Sequence, residues 1–318
     1  MSTVEDHIKV IISLTSYPKR IGYVQQVLDT IYRQTMQPDE IVLWLAEEEF
    51  PRKEMELPRK LNDLVKAEKL TIYWCDNLKP HKKYFYAFQK YPYDLIITID
   101  DDIEYPCDMV ETLYNSYLKH PKAVSALRTH LMVYDKKDGL LPYRYWLMEY
   151  DGCVDRESLQ LFCTGAGGIL YPAKLFNAKM LDKTAIMDNC LNADDIWLKL
   201  MELANGIPIV LARRHQPLKY INGSQHDGLC NNNIIENDIQ LQNSLRWFEK
   251  QFGVNPLESC LYNIPDRDNL LSFTEVSKRY SDRIEQLEKI LEDVSKSPSL
   301  RIGKMITWPG RTLRNLIK

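Results

Sequence analysis

Asp94-Leu95-Ile96-Ile97-Thr98-Ile99 runs directly into Asp100-Asp101-Asp102. The apolar part is β-branched and free of Gly and Pro, which reads as a buried strand. Three carboxylates at its C-terminal end are costly unless they face water or a cation. In an open α/β sheet, ligands bind beyond the carboxyl ends of strands, so a fixed acidic cluster there suits a divalent metal carrying an anionic partner. The triplet also reads as a solvated acidic turn, or as N-terminal charge for a helix beginning near Asp108.

The segments before this strand repeat one pattern. Ile8 to Leu14 is an apolar run closed by Thr15-Ser16-Tyr17-Pro18, and Ile21, Val24, Leu28 and Ile31 then share one helical face. Pro38 breaks before a second strand, Glu40 to Leu45, and the charged segment through Lys66 carries another helix. Leu70 to Trp74 reads as a third strand ending at Cys75-Asp76-Asn77. A loop with Lys79, His81, Lys82 and Lys83 leads into an aromatic helix, Tyr84 to Tyr91. Strands separated by helices at this spacing predict α/β architecture: a doubly wound, Rossmann-like, mostly parallel sheet with helices on both faces.

Downstream, the pattern predicts a helix from Asp108 to Lys119 and a strand near Ala123 to Leu127. Residues 130–163 lose clean periodicity. Thr164-Gly165-Ala166-Gly167-Gly168-Ile169-Leu170-Tyr171-Pro172 supplies a Gly-rich turn, with Pro172 suited to the first turn of a following helix. Asp194-Asp195-Ile196-Trp197-Leu198 opens another helix, and one more is expected from Glu236 to Phe252.

The chain then changes character, which divides it into a domain over 1–255, a linker over 256–275 and a helical extension over 276–318. Val276, Tyr280, Ile284, Leu287, Leu291 and Val294 form a short heptad-like series, suited to a homodimer contact or to packing on the same domain. After Asp293 no acidic residue remains, and Lys296, Arg301, Lys304, Arg311, Arg314 and Lys318 alternate with apolar residues that include Trp308. Such a tail fits the surface of an anionic membrane, or else docks on its own domain.

Composition narrows the class. The 318 residues are 45% hydrophobic and 27% charged, an ordinary globular balance. Lys plus Arg number 41 against 44 for Asp plus Glu, and the net charge of −3 gives no reason to expect nucleic acid. The N-terminal residues lack a signal-peptide pattern, and no apolar stretch approaches the roughly 20 residues needed to span a bilayer. The seven cysteines are scattered without a Cys-x-x-Cys pair, so reduced thiols in a cytoplasmic protein are expected.

Three groups carry chemistry. Asp100 and Asp102, one residue apart on an extended backbone, can approach the same cation, with Asp101 pointing elsewhere. An EF-hand is excluded because Tyr105 stands where that loop needs Gly. Thr15, Ser16, Asp76, Lys79, Lys82 and Lys83 follow strands at one sheet edge, where Asp76 could accept from a nucleobase and a lysine could meet phosphate. Asp194 and Asp195 can supply a general base for a hydroxyl nucleophile, or act only as first-turn helix charges. His226 could complete a metal's coordination, or be merely exposed.

In their order and spacing, Ile12 to Pro18, Ile99 to Ile103, Gly165 to Pro172 and Asp194 to Trp197 resemble the signature of family 2-type glycosyltransferases with the A-type (GT-A) fold. The resemblance spans roughly residues 8–252. It implies a metal-binding D-x-D motif at Asp100 and Asp102, with Mn²⁺ or Mg²⁺ as cofactor, and a catalytic base at Asp195 of the Asp194-Asp195 pair. It places Thr15, Ser16, Asp76, Lys83, Asp101, Gly167 and Gly168 at the nucleotide-sugar site. The donor would be a nucleotide sugar, a UDP-sugar in the first instance, and the acceptor a glycan or lipid-linked glycan at the inner face of the membrane, as in bacterial surface-polysaccharide assembly. Inversion at the anomeric carbon is implied by the resemblance alone. A nucleotidyltransferase and a non-catalytic sugar-binding or scaffold protein are the competing classes.

Overall fold

A computed structural model describes residues 8–135, 139–224, 233–253 and 255–257, together with Lys278 and Lys289. The chain forms two compact units, one of residues 1–133 and 140–269 and one of residues 134–139 and 270–318. Apart from its two lysines, the expected helical extension over 276–318, with its heptad series and basic tail, lies outside the described residues, as does His226.

In chain order the elements begin β1 (Val10–Thr15), α1 (Val24–Ile31), β2 (Glu40–Ala46), α2 (Arg59–Lys66), β3 (Thr71–Cys75), α3 (Lys82–Lys90), β4 (Leu95–Thr98) and β5 (Ile103–Glu104). There follow α4 (Met109–Lys119), β6 (Val124–Ala126), β7 (Thr129–Leu131), β8 (Tyr134–Asp135), β9 (Gly139–Leu140), β10 (Glu157–Ser158), β11 (Leu161–Cys163) and β12 (Ile169–Pro172). The last are α5 (Lys183–Asn189), α6 (Asp194–Ala204), β13 (Ile209–Leu211), β14 (Lys219–Tyr220) and α7 (Asn233–Phe252).

An eight-stranded sheet runs in the order β10-β13-β6-β12-β4-β1-β2-β3. The strands β4, β1, β2 and β3 are mutually parallel, as the alternating strand and helix pattern predicts. The apolar runs of β1, β2 and β4 are buried nearly throughout, as suits strands covered on both faces, whereas β3, at the end of the strand order, is half-buried along its length. Val24, Val27, Leu28 and Ile31 of α1 pack into the same core as Ile12, Leu14, Leu43 and Ile97.

Beyond β4 the sheet becomes mixed. β12 runs antiparallel to both β4 and β6, and β10 antiparallel to β13. Pro172, expected in the first turn of a following helix, is the last residue of β12 and leads directly into a single 3-10 turn over Ala173–Leu175. Ile169, Leu170 and Tyr171 are buried in the middle of the sheet, and Pro172 ends the strand opposite Leu95, where a missing N–H interrupts no interior ladder. Within the irregular 130–163 region, His130 and Trp146 pack against Phe162 beside the β7–β11 pair.

The reversal of β12 positions the site. β1, β3 and β4 end at one edge of the sheet, and an antiparallel β12 begins there, with Ile169 opposite Thr98. The tight turn over Gly165–Gly167 therefore arrives beside the acidic end of β4.

Candidate active site

After β4, Asp100 faces Lys83, whereas Asp101 and Asp102 share Arg20, so Asp101 does not point away from its neighbour as the alternation along an extended backbone predicts. Lys83, in the first turn of α3, places its ammonium 2.7 Å from Asp100 Oδ1. Ser16 donates its hydroxyl to Asp101 Oδ2 at 2.6 Å, and Arg20 Nη1 lies 3.0 Å from Asp101 Oδ1. The other terminal nitrogen of Arg20 is 2.9 Å from Asp102 Oδ2. Asp101 and Asp102 are buried, so the turn is not simply solvated, and β5 separates it from Asp108, the residue that precedes α4. The backbone N–H of Asp100 donates to the hydroxyl of buried Tyr105 at 2.8 Å, which fixes where the turn begins.

Lys83 also reaches the second acidic pair. Its Nζ lies 3.0 Å from Asp194 Oδ2, so one buried ammonium joins the end of β4 to the start of α6. Burial alone would lower the affinity of Lys83 for its proton, but Asp100, Asp194 and Asp195 hold it well above its ordinary value. Asp195 turns both oxygens to the backbone N–H of Gly165, at 3.2 and 3.3 Å.

The adjacent carboxyls of α6 are pushed apart. Burial opposes the charge of Asp194, yet Lys83 and His81 more than offset it, so the group sits below its ordinary value. Burial and the neighbouring charge of Asp194 raise Asp195 well above the carboxylate range. Two carboxyl groups separated in this way have distinct roles available: Asp194 a fixed anion, Asp195 a proton acceptor.

Gly165 owes its identity to this cluster. A Cβ there would lie 2.9 Å from Lys83 Nζ, 3.3 Å from Asp100 Oδ1 and 3.5 Å from Asp195 Oδ1. At Gly167 a Cβ would strike Arg128, 2.5 Å from its Cβ and 2.8 Å from its backbone nitrogen. Gly168 adopts φ +86°, a conformation open to glycine.

The remaining expected residues are less concentrated. Thr15 spends its hydroxyl on the Trp44 carbonyl at 2.8 Å. Ser16 and Asp101 are engaged with each other, which anchors the loop after β1 to the acidic turn. Asp76 is exposed at the end of β3 and pairs with Lys183 of α5. Lys82 is buried against Glu49, whereas Lys79 reaches Asn192 at 3.3 Å. Sequence reasoning missed Arg20 and Tyr105; each acts through a contact that no local motif announces.

The donor set bears on a divalent ion. Asp100, Asp101, Asp102, Asp194 and Asp195 gather around Lys83 and Arg20, so acidic groups outnumber basic ones. Asp100 is partly exposed, and its Oδ2 accepts no hydrogen bond from the described residues. Among those residues no three His, Cys, Asp or Glu side chains are grouped to hold an ion.

No family model matches the chain. No curated protein matches it either. Solved structures do. One is S. aureus TarS 1-349 in complex with UDP, at 12% identity over 82% of this chain and 77% of that one, with a TM-score of 0.41. A second is the mannosyltransferase PcManGT from Pyrobaculum calidifontis in complex with GDP-Man and Mn2+, at 13% identity over 94% and 84%, with a TM-score of 0.44. A third is 4-diphosphocytidyl-2C-methyl-D-erythritol synthase, at 12% identity over 66% and 94%, with a TM-score of 0.38.

Proposed function

We propose that the chain is a glycosyltransferase of the GT-A type, moving a sugar from a nucleotide-sugar donor to a hydroxyl of a glycan or lipid-linked glycan. The observation that carries this reading is Lys83, which brings the acidic turn after β4 within one side chain of the Asp194-Asp195 pair. A charged turn at the carboxyl ends of parallel strands is where an α/β sheet receives a nucleotide. A proton acceptor beside it suits transfer to a hydroxyl.

In this mechanism Asp195 removes the proton of the acceptor hydroxyl as the acceptor oxygen bonds to the anomeric carbon. The bond from that carbon to the nucleoside diphosphate breaks, and the diphosphate leaves with the electron pair. Direct displacement of this kind inverts the anomeric configuration. Lys83 keeps Asp194 ionised beside the base, and the Gly165 backbone orients the base through both of its oxygens. Asp100 and Asp102 would hold Mn²⁺ or Mg²⁺, which when bound supplies positive charge to the departing diphosphate. Asp76 and the loop after β1 border the side on which the nucleoside would lie.

No described helix is long and apolar enough to cross a membrane. The basic tail would hold the enzyme at the anionic inner face, near a lipid-linked acceptor. The test of the activity is a panel of UDP-, GDP- and dTDP-sugars offered with Mn²⁺ and extracted lipid-linked glycans, with products identified by mass spectrometry. Release of nucleoside diphosphate together with a lengthened glycan supports the reading. Release of pyrophosphate with formation of a nucleotide sugar would replace it with nucleotidyl transfer, and binding without turnover would leave a sugar-binding protein.

A further inference from the structure

Arg20 is fixed over the acidic turn. It lies 3.0 Å from Asp101 Oδ1 through Nη1 and 2.9 Å from Asp102 Oδ2 through Nη2, and Nη2 also donates to the Ser224 carbonyl at 3.3 Å. Its side chain is 16% exposed, against 8% and 7% for the two aspartates. The turn is held from other sides as well: the Ile221 N–H donates to the Asp102 carbonyl at 2.7 Å, and Ser16 holds Asp101 at 2.6 Å. The guanidinium is therefore a built part of the site.

This has a direct electrostatic consequence for a divalent ion. An ion approaching Asp102 meets a carboxylate whose Oδ2 is already taken by a cation, and it meets the charge of that cation in a poorly solvated place. Arg20 has a second anionic partner in Asp101, so it can release Asp102 without becoming a lone buried charge. Its Nε is buried and has no hydrogen-bond partner in the described residues, which leaves the guanidinium one donor short in its present position. A nucleoside diphosphate brings both negative charge and acceptor oxygens, the two things that would draw the guanidinium away from Asp102.

Resting on the reading of Asp100 and Asp102 as the residues that hold the ion, we propose that Arg20 is a positioning residue that competes with the divalent ion for Asp102. The ion alone then binds weakly, and it binds well only with a nucleoside diphosphate.

Mn²⁺ titrations of the full chain, followed by electron paramagnetic resonance, test this without any turnover. They compare wild type, Arg20→Gln and Arg20→Lys, each with no nucleotide, with UDP and with GDP. In wild type, one of the two nucleotides should tighten Mn²⁺ binding tenfold or more. Arg20→Gln should bind Mn²⁺ alone at least tenfold more tightly than wild type, with little further gain from nucleotide. Arg20→Lys should fall between them, because an ammonium keeps the charge but cannot bridge both carboxylates and the Ser224 carbonyl. Equal nucleotide-free affinity in all three proteins would overturn the proposal while leaving the ion reading intact. If Arg20→Gln does not fold, the comparison of Arg20→Lys with wild type decides. If none of the proteins binds Mn²⁺ under any condition, the assignment of Asp100 and Asp102 falls, and the role of Arg20 with it.

Discussion

Lys83 of α3 reaches Asp194 in the first turn of α6, with Nζ 3.0 Å from Oδ2. The same nitrogen lies 2.7 Å from Asp100 Oδ1, so three segments distant in sequence meet at one ammonium. Its side chain is only 6% exposed, which places the charge where an unpaired partner is expensive.

Lys83→Met is accordingly expected to destabilise the protein as well as silence it. Removing one member of a buried ion pair costs about 3–5 kcal/mol, since the carboxylates left behind keep their desolvation penalty. Chemical denaturation should show that loss against wild type. A variant as stable as wild type would mean that Asp100 and Asp194 are solvated in solution.

Asp195 supplies a pH signature. Burial and the charge of Asp194 raise its proton affinity well above the carboxylate range, so it accepts a substrate proton only after losing its own. Turnover should therefore rise with pH along a limb lying above ordinary carboxylate values. Asp194→Asn removes the neighbouring charge and should move that limb toward lower pH. Asp195→Asn should retain donor binding and lose about 10²–10⁴-fold in turnover, the usual range for a proton-transfer group. A pH limb unmoved by Asp194→Asn, with turnover intact in Asp195→Asn, would place the base elsewhere.

The residues legible in the sequence share one property: their meaning is local. Asp100 to Asp102 end an apolar run, Asp194 and Asp195 open a helix, and the glycines of 165–168 cluster in one turn. Arg20 was not legible because an arginine after Pro18-Lys19 reads as solvated loop, and its partners Asp101 and Ser224 lie 81 and 204 residues away. The strand β12 was not legible for another reason. A short apolar run of Ile169, Leu170 and Tyr171 fits strand or buried helix equally, and Pro172 suits a helix start as readily as a strand end. Only its burial between β4 and β6 decides.

A second pH effect comes from behind the site, on the same helix as the acidic pair. Glu202 lies 3.5 Å from Lys199, the two side chains being 1% and 2% exposed. Burial pushes the Glu202 carboxyl up from 4.5 to about 7. The folded state thus binds its proton more tightly than the unfolded chain. The resulting stabilisation is fully present below about 4.5 and is lost as pH rises through about 7. Between pH 5 and 8, wild type should lose roughly 2–3 kcal/mol relative to Glu202→Gln, following about 1.4 kcal/mol for each tenfold change in proton affinity. Urea unfolding of both proteins across that range measures it, and parallel pH dependence would show that Lys199 keeps Glu202 ionised throughout.

The basic tail gives a prediction that depends on the chain's chemistry alone. Lys296, Arg301, Lys304, Arg311, Arg314 and Lys318 follow the last acidic residue, Asp293, with Trp308, Leu313, Leu316 and Ile317 among them. Each basic side chain near an anionic surface contributes about 1 kcal/mol, and apolar residues buried at the interface add to it. The full chain should partition onto vesicles containing phosphatidylglycerol, more weakly onto neutral phosphatidylcholine, and be released by raised salt. Deleting residues 296–318 should abolish the preference for anionic vesicles while sparing transfer to a soluble acceptor. If partition is unchanged by the deletion, another surface carries it. If turnover on the soluble acceptor falls together with partition, the tail contributes to the enzyme's fold.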